Sequence, residues 1–116
     1  MITNSYNVSS SGTYSSEGVT VTFSSFRRRG SSIEMNKNGN LSISCSQNAR
    51  IQKIEVHYIR YYNPGFTLSS GGGSISNDNQ NARYIWQSDN APGSTSVVLK
   101  SSSKGRITKV VALIRE

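Results

Sequence analysis

One cysteine, one histidine and six acidic side chains leave this 116-residue chain little material for most enzyme chemistry. A lone thiol, Cys45, cannot close an intramolecular disulfide, so the fold has to be held by its own core. Cys45 falls on the inward side of the Leu41-Ile43-Cys45 alternation and reads as a small buried hydrophobe, not a reactive thiol. His57 has no second histidine with which to build a triad or a His-based metal site, and in Glu55-Val56-His57-Tyr58 it takes the solvent side of a strand. The acids give no close pair that spacing alone would bring together for glycoside hydrolysis. No enzyme, cofactor or metal site is therefore expected. Asn77-Asp78-Asn79 and Asp89-Asn90 carry oxygen ligands of the kind calcium takes, but their spacing fits no calcium loop and suits ordinary turns.

Long apolar runs and helical periodicity are missing too. No stretch approaches the ~18 apolar residues of a membrane helix, and no window sustains an apolar i, i+3, i+4, i+7 pattern, so almost no helix and no membrane insertion are expected. Residues 1–6 contain neither a basic nor an apolar signal-peptide region. Only 34% of residues are hydrophobic, the remainder being rich in Ser, Asn, Thr and Gly, which favours short strands and many turns. Disorder is excluded because the Val, Ile, Leu, Phe and Tyr residues recur in ordered alternation instead of being depleted. The length suits one domain over residues 1–116, with residues 1–16 as a weakly structured edge segment that Tyr6, Val8 and Tyr14 can anchor.

The clearest organisation is an internal repeat. Leu41-Ser-Ile-Ser-Cys45 and Arg50-Ile-Gln-Lys-Ile-Glu-Val56 recur 56 positions later as Val97-Val-Leu-Lys-Ser101 and Arg106-Ile-Thr-Lys-Val-Val-Ala112. Each copy reads as a strand, a polar loop and a second strand. In that second strand the apolar phase slips by three residues, from Ile51 to Ile54 and from Ile107 to Val110. Side chains alternate faces along a strand, so a three-residue step requires a bulge or a bend.

Other strands follow from alternation. Gly18-Val-Thr-Val-Thr-Phe23 is a clear one, after which residues 26–32 read as a loop. Residues 33–45 read as a hairpin in which a three-residue loop, Lys37-Asn38-Gly39, sets Met35 opposite Leu41 and Ile33 opposite Ile43, with Gly39 left-handed. Asn63-Pro64-Gly65 is a turn, residues 66–68 a brief strand, residues 69–81 a polar loop with a Gly71-Gly72-Gly73 tip, residues 83–87 a strand and residues 89–93 a turn. Residues 106–115, the most apolar stretch, belong in a sheet interior. The outcome is an all-β antiparallel β-sandwich or jelly roll of about eight short strands with an internal hairpin repeat.

The first half, Gly18-Val-Thr-Val-Thr-Phe23, Asn38-Gly-Asn-Leu-Ser-Ile43 and Arg50-Ile-Gln-Lys-Ile-Glu-Val56, is followed by Trp86, Ser96-Val-Val-Leu99 and Arg106-Ile-Thr-Lys-Val110. Together these resemble the small jelly-roll-like β-sandwich modules of surface and secreted proteins of gut Bacteroidetes and of their phages. The resemblance spans about residues 18–114 and implies an adhesive or glycan-associated module, without a residue set to carry over. It implies an extracellular or cell-surface location for an excised domain, and a virion location for a phage-encoded chain, which needs no signal peptide.

Three functions follow from the residues. The first is a non-catalytic binding or adhesion module for a surface glycan or another surface protein. Its candidate aromatic platforms are Tyr61, Tyr62 and Phe66 around the Asn63-Pro64-Gly65 turn, and Trp86 flanked by Arg83 and Asp89. Trp86, the sole tryptophan, sits on a strand and suits the core better. The second is a virion structural protein, a capsid decoration or fibre element, in which a homo-oligomer is expected. The third and weakest is an electrostatic nucleic-acid binder. Thirteen basic residues give a net charge of +7, and the candidate patch is Arg27, Arg28, Arg29, Lys104 and Arg106, but no nucleic-acid motif accompanies it.

Overall fold

The computed structural model describes residues 2–7, 12–16, 18–46, 48–89 and 93–115. Val8 and part of the expected turn, residues 90–92, lie outside the described residues. The chain is all-β, and its strands are β1 (Ile2–Asn7), β2 (Thr13–Ser16), β3 (Val19–Arg29), β4 (Ser32–Cys45) and β5 (Arg50–Tyr58). They continue with β6 (Phe66–Ser70), β7 (Ser74–Asp78), β8 (Arg83–Gln87), β9 (Ser96–Ser101) and β10 (Gly105–Arg115), and a 3-10 turn lies at Asn79–Asn81. Among the described residues no helix is long and apolar enough to cross a membrane.

Every strand pairing is antiparallel, in the two runs β2-β3-β4-β9-β6 and β1-β10-β5-β8-β7. The runs join where Ile33, Glu34 and Met35 of β4 pair with Ile107, Arg106 and Gly105 of β10. Strict alternation in each strand turns its apolar residues to one side. Val19, Val21, Leu41, Ile43, Val97 and Leu99 of the first run are sealed against Ile51, Ile54, Val56, Val110, Ala112 and Trp86 of the second. The result is a sandwich-like body in which the most apolar strand, β10, is flanked by β5 on one side and by β1 and β4 on the other.

The repeat is built about an approximate twofold axis. Leu41 pairs with Leu99 and Ile43 with Val97, so the copies face each other in exchanged order; Ile54 with Ala112 and Val56 with Val110 do the same in the other layer. The axis passes between Ser42 and Val98, then between Glu55 and Val111. Both phase slips are bulges. The β5–β10 register shifts once between Ile107 and Lys109 and once between Leu113 and Ile114, leaving Thr108 and Gln52 as the extra residues.

The repeat unit is not a hairpin, since β4 and β9 pair with each other in one run and β5 and β10 in the other, and four further expectations are corrected. Strand β3 runs on to Arg29, so the arginine run lies on a strand, and the hairpin turn falls at Gly30 and Ser31. Residues 33–45 do not form a hairpin: β4 is one 14-residue strand, in which Met35 pairs with Phe26 and Leu41 with Phe23. Residues 36–39 bulge outward opposite Ser25, and β4 passes there from the β10 pairing to the β9 pairing. Asn38 takes the left-handed conformation (φ 69°), not Gly39. Gly39 is needed for close approach instead, because a Cβ there would lie 2.9 Å from the Ser24 carbonyl oxygen. Buried Ser101 holds the bulge, its Oγ accepting from Gly39 N–H (3.1 Å) and donating to the Asn36 carbonyl (2.6 Å). Third, residues 74–78 are strand β7, paired with β8; Ile75 is its one apolar residue, too little for alternation to register. Fourth, the first sixteen residues carry two paired strands, β1 on β10 and β2 on β3, raising the total from about eight to ten.

Candidate functional site

The segment after β5 is an irregular stretch held in one shape. Tyr62 N–H donates to the Ile59 carbonyl (2.8 Å) and closes a four-residue turn whose third residue, Tyr61, has φ 76°. Glycine is the usual occupant of such a position, because a Cβ there is crowded. Asn63 Oδ1 then accepts the Gly65 N–H (2.8 Å) and the Tyr84 hydroxyl (2.5 Å). Buried Pro64 offers its carbonyl to the N–H groups of Ser102 and Ser103, while Arg106 N–H donates to the Tyr62 carbonyl. The β5–β6 and β9–β10 connections are thereby locked together.

Between them lies a cleft of about 540 Å³. Its walls are the Tyr58 and Tyr61 side chains, the amides of Asn63 and Asn79, Ser103, and the cations Arg60 and Lys104. Most of these groups are fixed: the Tyr58 hydroxyl donates to Asn77 Oδ1 (3.0 Å), Ser103 Oγ to the Asn63 carbonyl (2.9 Å), and Arg60 to the Gln80 carbonyl (2.7 Å). Tyr61 is the exception, 92% exposed at the rim. The cleft thus places an open aromatic ring beside amide, hydroxyl and cationic side chains on a hydrogen-bonded frame, groups capable of stacking and hydrogen bonding. Among the described residues no histidine, thiol or carboxylate lines it.

The aromatics named from sequence separate. Tyr61 reaches the cleft, and Tyr62, 44% exposed, lies beside it with the Arg106 guanidinium carbon 4.2 Å from its ring centre. Phe66 and Trp86 are core: Phe66 packs edge-on to Tyr84, and Trp86 is 1% exposed with its Nε1 donating to the Gly72 carbonyl (2.8 Å). Neither can serve as a platform. Alternation explains it, since Trp86 and Tyr84 share the inward face of β8 while Arg83 points outward. Arg83 is spent in ion pairs with Asp78 (2.8 Å) and Glu55 (2.9 Å), and exposed Asp89 is not among the cleft residues. Of the other lining residues, the sequence offers Asn63 only as a turn former and Asn79 only as a calcium-type oxygen ligand, and it gives no signal for Tyr58 or Ser103.

The basic residues are drawn together by a carboxylate that sequence gave no reason to notice. Buried Glu34 contacts Arg29 (3.3 Å) and Arg106 (3.5 Å), and its cross-strand neighbour on β3 is Arg27. Arg28 is exposed on β3 opposite Ile33, and Lys104 acts on Glu34 through its charge. Burial alone would raise the Glu34 carboxyl, but the hydrogen bond and charge of Arg29, with the charges of Lys104 and Arg106, outweigh it and hold it below its ordinary value of 4.5. Burial likewise opposes Arg83 and Lys53 at Glu55 and loses; hydrogen bonds from Asn81 and Arg83 lower Asp78.

These three carboxyls bind protons more weakly in the folded chain than in the unfolded one, so acid favours unfolding. Their stabilisation is complete above the ordinary values, 4.5 for Glu34 and Glu55 and 3.8 for Asp78, and is lost as pH falls through the lower folded values. The melting temperature is therefore expected to hold between roughly pH 7 and 5, then fall, with Glu34→Gln shrinking the fall; a curve flat to about pH 3 contradicts the network.

Among the described residues no group of three His, Cys, Asp or Glu side chains could hold a metal ion. In the loops considered for calcium, Asp78 is bound to Arg83 and Asn81, and Asn77 accepts from Tyr58. Cys45 is half-buried, packs against the core and donates to the Ala49 carbonyl (3.2 Å); burial raises its thiol pKa, which disfavours the reactive thiolate. No protein-family model, no curated protein and no solved structure matches this chain.

Proposed function

We propose that this domain is a non-catalytic carbohydrate-binding module whose site is the cleft under Tyr61. The observation that carries the reading is Tyr61 itself. A large aromatic left 92% exposed contributes almost no buried area to the fold, and its φ of 76° is a conformation that costs a non-glycine residue about 1–3 kcal/mol. A residue that the fold pays to display is best explained by what it meets outside. An open tyrosine ring stacks on the C–H face of a sugar, and the amides of Asn63 and Asn79 below it suit ring and hydroxyl oxygens. The lining groups include no base or nucleophile pair, since Ser103 Oγ donates to a backbone carbonyl and has no histidine or carboxylate beside it in the cleft.

The test separates display from structure. Tyr61→Gly removes the ring and relieves the left-handed strain, so its melting temperature is expected to equal or exceed that of the wild type. On a glycan array, followed by calorimetry on the best ligand, the same variant is expected to lose at least about tenfold in affinity. Unchanged glycan binding, or no wild-type binding to any glycan, overturns the reading.

A further inference from the structure

We infer that the glycan taken by this cleft is acidic, a polysaccharide bearing uronate or sulfate groups; this rests on the carbohydrate-binding reading above. Among the described residues the cleft is lined by two cations, Arg60 and Lys104, and by no carboxylate. Asn63 Oδ1 is occupied twice, and the Nδ2 groups of Asn63 and Asn79 have no partner among the described residues. Lys104 Nζ makes no ion pair within 4 Å among them, and Arg60 spends one nitrogen on a backbone carbonyl. A neutral sugar presents hydroxyls that both donate and accept, and its sites supply carboxylates or carbonyls for the donating half. Here the nearby carboxylates are already committed, Asp78 to Asn81 and Arg83, Glu34 to Arg29 and Arg106. A ligand carrying oxyanions meets these N–H donors with acceptors and the two cations with the complementary charge.

Positive charge continues beyond the cleft. Lys104 leads directly to Arg106, whose cross-strand neighbour is Glu34, whose own neighbour on β3 is Arg27; cross-strand partners project from the same face. Arg29, Arg106 and Lys104 thus share a single carboxylate, with Arg27 across the strand from it, which suits a polymer carrying an anion at each repeat. A single-stranded nucleic acid is the poorer fit, because it tracks along successive stacking aromatics, whereas among the described residues Tyr61 has the one largely open ring and Arg106 lies over a face of Tyr62.

Binding of dextran, dextran sulfate, polygalacturonate and oligothymidylate is compared at about 0.15 M salt, for the wild type, Tyr61→Gly and the double variant Arg60→Gln/Lys104→Gln, with melting curves confirming that each folds. The expected result is that dextran sulfate or polygalacturonate binds at least about tenfold more tightly than dextran, and that both variants lose this gain. Which of the two polymers binds more tightly identifies sulfate or carboxylate as the recognised group. Dextran bound as tightly as the acidic polymers, with dependence on Tyr61, overturns the acidic assignment and leaves the carbohydrate reading standing. Binding of every polymer indifferent to Tyr61→Gly overturns both. Oligothymidylate bound as tightly as the acidic polysaccharides overturns the inference in favour of charge alone.

Discussion

Replacing Trp86 with alanine is expected to cost about 3–5 kcal/mol of unfolding free energy, the largest effect of any substitution considered for this chain. The ring is 1% exposed on the inward face of β8, between cross-strand neighbours Ile54 on β5 and Ile75 on β7. Its removal leaves a large apolar cavity and strips the Gly72 carbonyl of the indole N–H that holds the glycine tip. Gly73 is adapted to the same ring, since a Cβ there would sit 2.8 Å from Nε1. Trp86→Phe keeps much of the volume and is expected to cost distinctly less. Urea denaturation measures both; a loss under about 1 kcal/mol for Trp86→Ala, together with lost ligand binding, would return Trp86 to the platform role that the sequence left open.

Gly105→Ala is expected to cost about 3 kcal/mol for a different reason. An added Cβ would lie 2.5 Å from the Cα and N of Pro64. Both are backbone atoms in a segment already pinned by Ser102, Ser103 and Arg106, so neither side can yield without breaking hydrogen bonds. The same shift would displace Asn63 and Tyr61, so ligand binding should weaken along with stability. Gly30→Ala is the control: nothing lies within 4 Å of its Cβ, and only its φ of 63° opposes the change, a cost of about 1 kcal/mol. Equal losses at the two glycines would show that the approach of Pro64 does not decide the outcome.

Alternation and the repeat carried most of the fold in the sequence. The paired phase slips announced two bulges because a three-residue apolar step cannot be drawn on a straight strand, and both are present, in strands that turn out to pair with each other. What misled was the turn signal Lys37-Asn38-Gly39. Local chemistry favours a hairpin there, but Phe26 and Phe23 on β3 offer Met35 and Leu41 better partners than each other, so the same residues become a bulge inside one long strand. The hydroxyl that stabilises this alternative, Ser101, is 62 positions from Gly39 and invisible to any local pattern.

The candidate site was half legible for a similar reason. Tyr61 stood out because two adjacent aromatics beside a Pro-Gly turn cannot both be buried on one strand face. The cleft around it draws on the β5–β6 loop, the 3-10 turn and the β9–β10 loop, and no spacing within one segment reveals that Asn79 and Lys104 share a wall. Glu34 likewise reads as one acid on a strand until β3 and β10 set Arg29 and Arg106 against it.

The most direct test of the account is amide chemical-shift mapping on isotope-labelled protein while an oligosaccharide chosen from the array is added. Binding in the cleft predicts shifts confined to residues 58–63, Asn79, Ser103 and Lys104, with the core strands unmoved. Shifts centred instead on the outer face of β3, β4 and β9, around Thr20, Ser42 and Val98, would place the ligand on the other layer and contradict the assignment of this site.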